Sequence, residues 1–205
     1  MIEILTSFVL ATSVLAISPG PDNIFVLTQS LVHGKKYGLA IVFGLISGCI
    51  VHTTFLAFGV STIIKNSETL YFIIKLFGAS YLIYLAFKVY KSDDQILIDK
   101  KISERKNTLE LFKQGFTMNV LNPKVTIFFL VFFPAFLFSD KLSNVIQFYI
   151  LGLLFMLTSL IIFSIIVFLA GSISNSIKQN KDIGLYLKWL QILVFFSISI
   201  FILFS

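Results

Sequence analysis

Ser18-Pro19-Gly20-Pro21-Asp22 interrupts an apolar stretch that otherwise runs from about residue 2 to residue 32. Proline removes a backbone donor and clashes with the preceding turn, so this pentapeptide stops a helix where a membrane span is normally kept whole. The bilayer interior has no water to satisfy the freed groups. Irregular backbone at that depth is therefore buried in protein or faces a wet cavity. An ionisable residue at the same depth points to function by default. The stretch predicts a broken first span in a protein that moves a solute across a membrane.

Composition agrees. The 205 residues are 57% hydrophobic and only 13% charged, against about 25% charged in soluble domains. So short a chain has no soluble core that would absorb this much apolar surface. The net charge of +6 comes from lysines beside apolar segments, where they act as orientation signals, and nucleic acid is not an expected partner. Cys49 is the sole cysteine, which rules out an internal disulfide or a multi-cysteine metal site and reads as a small packed side chain. No cofactor is expected. The N-terminus carries Glu3 in place of a basic leader region and is read as the start of the first span.

Six segments reach the roughly 20 apolar residues a span needs: about 2–32, 39–64, 70–90, 112–138, 145–171 and 186–204. The expected fold is all-α, a single transmembrane domain over 1–205 with six transmembrane helices. Between the third and fourth spans lies a polar tract from Lys91 to Lys113, read as a solvated loop. Asn107 with Glu110 resembles a helix N-cap pair, after which Leu109, Phe112 and Phe116 line one face. Lysine and arginine crowd the first, third and fifth loops, while the second and fourth hold only Lys65, Lys75 and Lys141. The odd-numbered loops are then cytoplasmic and both termini lie outside.

Three spans per half is an odd number, so related halves would sit in the membrane in opposite senses. The halves are placed at about 1–90 and 112–205, with a cytoplasmic loop at 91–111. Both open with a proline-interrupted span, at Pro19 and at Asn122-Pro123-Lys124. Corresponding interruptions are the strongest sequence pointer to a carrier site at a repeat interface. Ser18 and Asn122 each read as an N-cap followed by proline at the first helical position. The half-helices they start would present free N–H groups and a positive dipole end to an anion. The plainer alternative is a pair of proline kinks satisfied by neighbouring side chains.

Asp22 and Lys124 are the charges nearest the centres of their spans. Each costs about 2.5–3.5 kcal/mol at the middle of an isolated helix, so both should face the bundle interior. Either they pair with each other, or Asp22 meets the ammonium of a zwitterion while Lys124 meets its carboxylate. His52 is a candidate proton relay together with Asp22, or a hydrogen bond to a neighbouring helix. Asn119 and Asn122 line a cavity or tie helices together, with Thr126 one turn on. Gly44 and Gly48 form a small-xxx-small pattern for close packing, within one chain or in a homodimer. Gly78, Tyr81 and Tyr84 share a face of the third span and read as packing.

At these residues the chain resembles the LysE/RhtB family of bacterial amino-acid exporters. The matching features are Ile17-Ser18-Pro19-Gly20-Pro21-Asp22-Asn23, Gly34-Lys35-Lys36-Tyr37-Gly38 and Leu76-Phe77-Gly78-Ala79-Ser80-Tyr81-Leu82. Gly115-Phe116, Asn119 and Leu121-Asn122-Pro123-Lys124 complete them. The similarity runs through essentially the whole chain, while the third loop and last two spans match only in general character. The resemblance implies a six-helix protein of the bacterial inner membrane that exports amino acids or related metabolites, driven by the proton gradient.

The expected function is thus secondary active efflux of a small zwitterion, with protons and lipid as the other partners. The expected binding residues are Ser18, Pro19, Gly20, Pro21, Asp22, Asn23, Asn119, Asn122, Pro123 and Lys124. No phosphate-binding Gly-rich loop is present to bind ATP. Metal efflux is a weaker reading, because no His/Cys/carboxylate cluster has ligand spacing. An intramembrane enzyme lacks a nucleophile with a nearby histidine. A non-transporting subunit would leave the paired breaks without a purpose.

Overall fold

The computed structural model describes residues 1–18, 20–92, 107–179 and 182–204. Pro19 and the polar tract 93–106 therefore lie outside the described residues. The elements are α1 (Ile2–Ile17), α2 (Pro21–Val32), α3 (Lys35–Phe55), α4 (Ser61–Asn66), α5 (Glu68–Lys91), α6 (Thr108–Val120), α7 (Pro123–Phe132), α8 (Asn144–Phe168), α9 (Ala170–Gln179) and α10 (Asp182–Phe204). A π-helical turn at Leu56–Val60 joins α3 to α4, and α7 ends in a 3-10 turn at Phe133–Phe136. No strand occurs among the described residues.

Four helices are long and apolar enough to cross a membrane: Lys35–Ile64, α5, α8 and α10. Two further pairs pass the same test only together, α1 with α2 and α6 with Pro123–Phe136, bent by 62° and 52°. Six spans result when each bent pair crosses once. The protein is an all-α integral membrane protein, as expected. Hydropathy placed the spans to within a few residues, except that the sixth begins at Asp182 and α9 follows the fifth as a helix of its own. Its ten residues, Ala-Gly-Ser-Ile-Ser-Asn-Ser-Ile-Lys-Gln, are too polar to register as a span.

Local chemistry sets the ends. Asn107 Oδ1 accepts from Glu110 N at 2.8 Å while Glu110 Oε2 accepts from Asn107 N at 3.2 Å, so the expected cap forms as a reciprocal box. The buried face behind it is Leu111, Gly115 and Asn119, whereas Leu109 is 60% exposed. Leu109 falls outside that face because Gly115, against Ile41, sets which stripe of α6 approaches α3. Ser67 Oγ caps α5 by accepting from Leu70 N at 3.2 Å. Gln147 pins the turn before α8, accepting from Phe138 N (2.7 Å) and Ser139 N (3.0 Å) and donating to Ser139 O (2.8 Å) and Leu142 O (3.0 Å).

Two kinds of packing hold the bundle. Towards the far end of the fourth span, phenylalanines form one cluster. Phe128 stacks on Phe132 at 4.3 Å and Phe129 on Phe133 at 4.2 Å, and Phe8 of α1 meets Phe133 edge-on at 5.1 Å. All five rings are at most 2% exposed. Aromatic pairs in these geometries gain about 0.5–1.5 kcal/mol beyond area burial. Elsewhere the backbones themselves meet. A Cβ on Gly44 would strike the Phe112 carbonyl, and one on Gly115 would strike the Ile41 carbonyl. The small-residue pattern in the second span thus packs α3 against α6 within one chain. Gly78 sits against Val131 of α7, as a packing role requires. Large apolar side chains on α5 and α10, among them Phe77, Phe87, Leu193 and Phe196, are left exposed where lipid would surround them.

Candidate functional site

The first break departs from expectation in its cap. Ser18 closes α1 and does not open α2: its N–H donates to Val14 O, and Gly20, in extended backbone, is the N-cap with Pro21 at the first helical position. A Pro-Gly-Pro sequence offers two such starts, and the chain uses the later one. Gly20 has no side chain, so the first turn of α2 receives no side-chain cap. The Ser18 hydroxyl is buried without a hydrogen-bond partner among the described residues. The second break follows expectation. Asn122 caps α7 by accepting from Lys124 N at 3.0 Å, with Pro123 at the first position.

Each break also frees carbonyls at the end of its first half-helix, which must find donors. Asn23 Nδ2 donates to Ala16 O at 2.8 Å, turning back across the first break. At the second, His52 Nε2 lies 3.1 Å from Asn119 O. A carbonyl is acceptor-only, so Nε2 carries the hydrogen. The ring also packs on Phe129 at 5.4 Å between centroids. His52 is thus a tie between helices in this structure and does not line the cavity described next.

The two breaks meet. Asn122 uses the other end of its amide to donate from Nδ2 to Asp22 Oδ2 at 3.0 Å, joining the first turn of α2 to the cap of α7. Lys124 Nζ lies 4.8 Å from the centre of the Phe195 ring of α10, and 3.8 Å from where a Cβ on Gly20 would stand. Among the described residues, Asp22 and Lys124 make no ion pair within 4.0 Å. Acid and amine therefore share one site, held by different partners.

Between them is a cavity of about 60 Å³, several times the roughly 10–15 Å³ that one water needs. Asp22, Asn23, Asn119, Asn122 and Lys124 line it, as do Ala16, Cys49, Ser159, Phe128 and Phe155. Of the residues singled out from sequence, those first five are brought together. Gly20 adjoins Lys124, while Ser18, Pro21 and Pro123 shape the breaks without lining the cavity, and Pro19 lies outside the described residues. Asn119 exchanges a polar contact with Cys49, Nδ2 to Sγ at 3.7 Å, in space that a Cβ on Gly48 would close to 2.6 Å from Asn119 Oδ1. Ser159 escaped sequence reasoning. Its signal was a hydroxyl inside the strongly apolar α8, where it is 2% exposed. Among the described residues, no three His, Cys, Asp or Glu side chains are grouped to hold a metal.

Severed spans whose ends close on a charged cavity among apolar helices define a multi-pass membrane protein. The chain belongs to the family of LysE type translocators, whose model matches residues 13–204. It is similar to a homoserine/homoserine lactone efflux protein of Salmonella typhimurium, with 27% identity over 86% of this chain and 84% of that protein. It is likewise similar to an uncharacterized membrane protein, YrhP, of Bacillus subtilis, with 28% identity over 86% of this chain and 88% of that one. No solved structure matches the chain.

Proposed function

We propose that the protein is a secondary carrier that exports amino acids or related small zwitterions across the bacterial cytoplasmic membrane in exchange for protons. The observation that carries this reading is the Asn122–Asp22 hydrogen bond, which brings both broken spans to one cavity with a carboxylate and an ammonium on its wall. The ammonium of a zwitterion pairs with Asp22, and its carboxylate pairs with Lys124 and the uncapped first turn of α2. In a low-dielectric site such paired charges are favourable only when both ends are met, which selects zwitterions over simple ions. The efflux named for the Salmonella relative is in keeping with this.

Access alternates around the site. A cleft of about 340 Å³ adjoins it on the α9 side, and another of about 540 Å³, lined by Glu3, Ser7 and Phe136 among others, lies towards the start of α1. With both termini outside, the first cleft opens to the cytoplasm and the second to the exterior. The halves act as inverted repeats: α1 packs on α8 as α6 packs on α3, which is the exchange such a relation requires. Asp22 is the proton-carrying group, since it is the carboxylate on the cavity wall. Export from dipeptide-loaded cells tests the reading: expressing cells should release amino acid against a gradient, and equal release from cells lacking the protein would refute it.

A further inference from the structure

The cleft on the α9 side has a wall unlike that of the charged cavity. Seven isoleucines and two leucines line it, contributed by α1, α2, α8, α9 and α10, and Asn23 is its one polar lining residue among those described. Asn23 also lines the charged cavity, so the two spaces share a wall at the first break. On α8 they are adjacent as well, with Phe163 in one and Ile162 in the other. Ile173 and Ile177 bring α9 into its lining. At about 340 Å³ the cleft is far larger than the cavity of about 60 Å³.

Resting on the carrier reading above, we infer that this cleft receives the side chain of the transported molecule, and that the preferred cargo is an amino acid with a branched aliphatic side chain. The charged cavity handles the groups all amino acids share. The isoleucine cleft handles the part in which they differ. Each methylene buried there favours binding by about fourfold, so leucine or isoleucine gains tens of fold over alanine. A hydroxyl-bearing side chain such as that of homoserine would leave its O–H without a partner against isoleucine, which disfavours it by a further tenfold or so. Lipid chains are the competing occupant of an apolar cleft in a bilayer. Asn23, which lines both spaces, sets the cleft directly beside the charged cavity and favours the cargo.

Counterflow in proteoliposomes of the full chain, given leucine, alanine and homoserine at equal concentration, tests the inference. Leucine should exchange at least tenfold faster than homoserine. Ile162→Thr should bring that ratio below about threefold, while Ile161→Thr, on the exposed side of α8, should leave it unchanged. Ile177→Phe, which fills the cleft from α9, gives a second route to the same loss should Ile162→Thr fail to fold. Homoserine exchanging as fast as leucine would overturn the inference and leave the carrier reading standing. A leucine preference indifferent to both cleft variants would overturn it too, assigning the cleft to lipid. Exchange of no amino acid would end both readings.

Discussion

Asn122 is the residue on which the site turns, because each end of its amide does separate work. Asn122→Ala removes a helix cap, worth about 1 kcal/mol, and takes a hydrogen bond from the half-buried Asp22 carboxylate, worth about 1 kcal/mol more. Asn122→Asp keeps the cap acceptor but sets a second carboxylate beside Asp22. If the donor end matters for transport, both variants should lose export by tenfold or more, and only the alanine variant should also lose the cap's share of stability. Thermal unfolding in detergent beside dipeptide-loaded efflux separates the two. Asp22→Asn should leave the protein inserted in the membrane, measured by immunoblot of the membrane fraction, yet abolish efflux. Wild-type export by that variant would remove Asp22 from the mechanism.

Among the elements, the broken helices were readable because proline leaves an unmistakable local mark, and the cap at Asn122 followed from its place before Pro123. The cap at the first break was not readable, since Pro19 and Pro21 are equally good starts and only the course of the backbone chooses. The partners of the freed carbonyls were hidden for a different reason. Asn23 reaching back to Ala16, and His52 reaching across to Asn119, depend on how separate segments are brought together, which hydrophobic periodicity does not encode. The cavity's apolar wall was equally silent, because Phe128 and Phe155 look like any other phenylalanine in a span. The α3–α6 contact gives this scale its own prediction. Gly44→Leu places a side chain where the Phe112 carbonyl already stands. Overpacking costs about 1–3 kcal/mol, so the melting midpoint in detergent should fall by several degrees. An unchanged midpoint would mean that the two helices part easily.

For the whole molecule, orientation and energy source are the quantities to measure. Asp140 lies exposed in the turn before α8, and Asp140→Cys should react with a membrane-impermeant thiol reagent in intact cells, whereas Lys36→Cys should react only after the membrane is opened. Native Cys49 is buried and should stay silent in both. The reverse pattern would invert the topology. An uncoupler that collapses the proton gradient should stop uphill export; export that continues against a gradient would require another driving force. The glycine contact between α3 and α6 bears on how such a cycle runs. Where main chains touch with nothing compressible between them, two rods move as one casting, and sliding would cost contacts that no rotamer change replaces. In the proposed export cycle the second span and the first half of the fourth are therefore expected to travel as one body, which leaves any rearrangement to the severed first span and to the part of the fourth beyond its break.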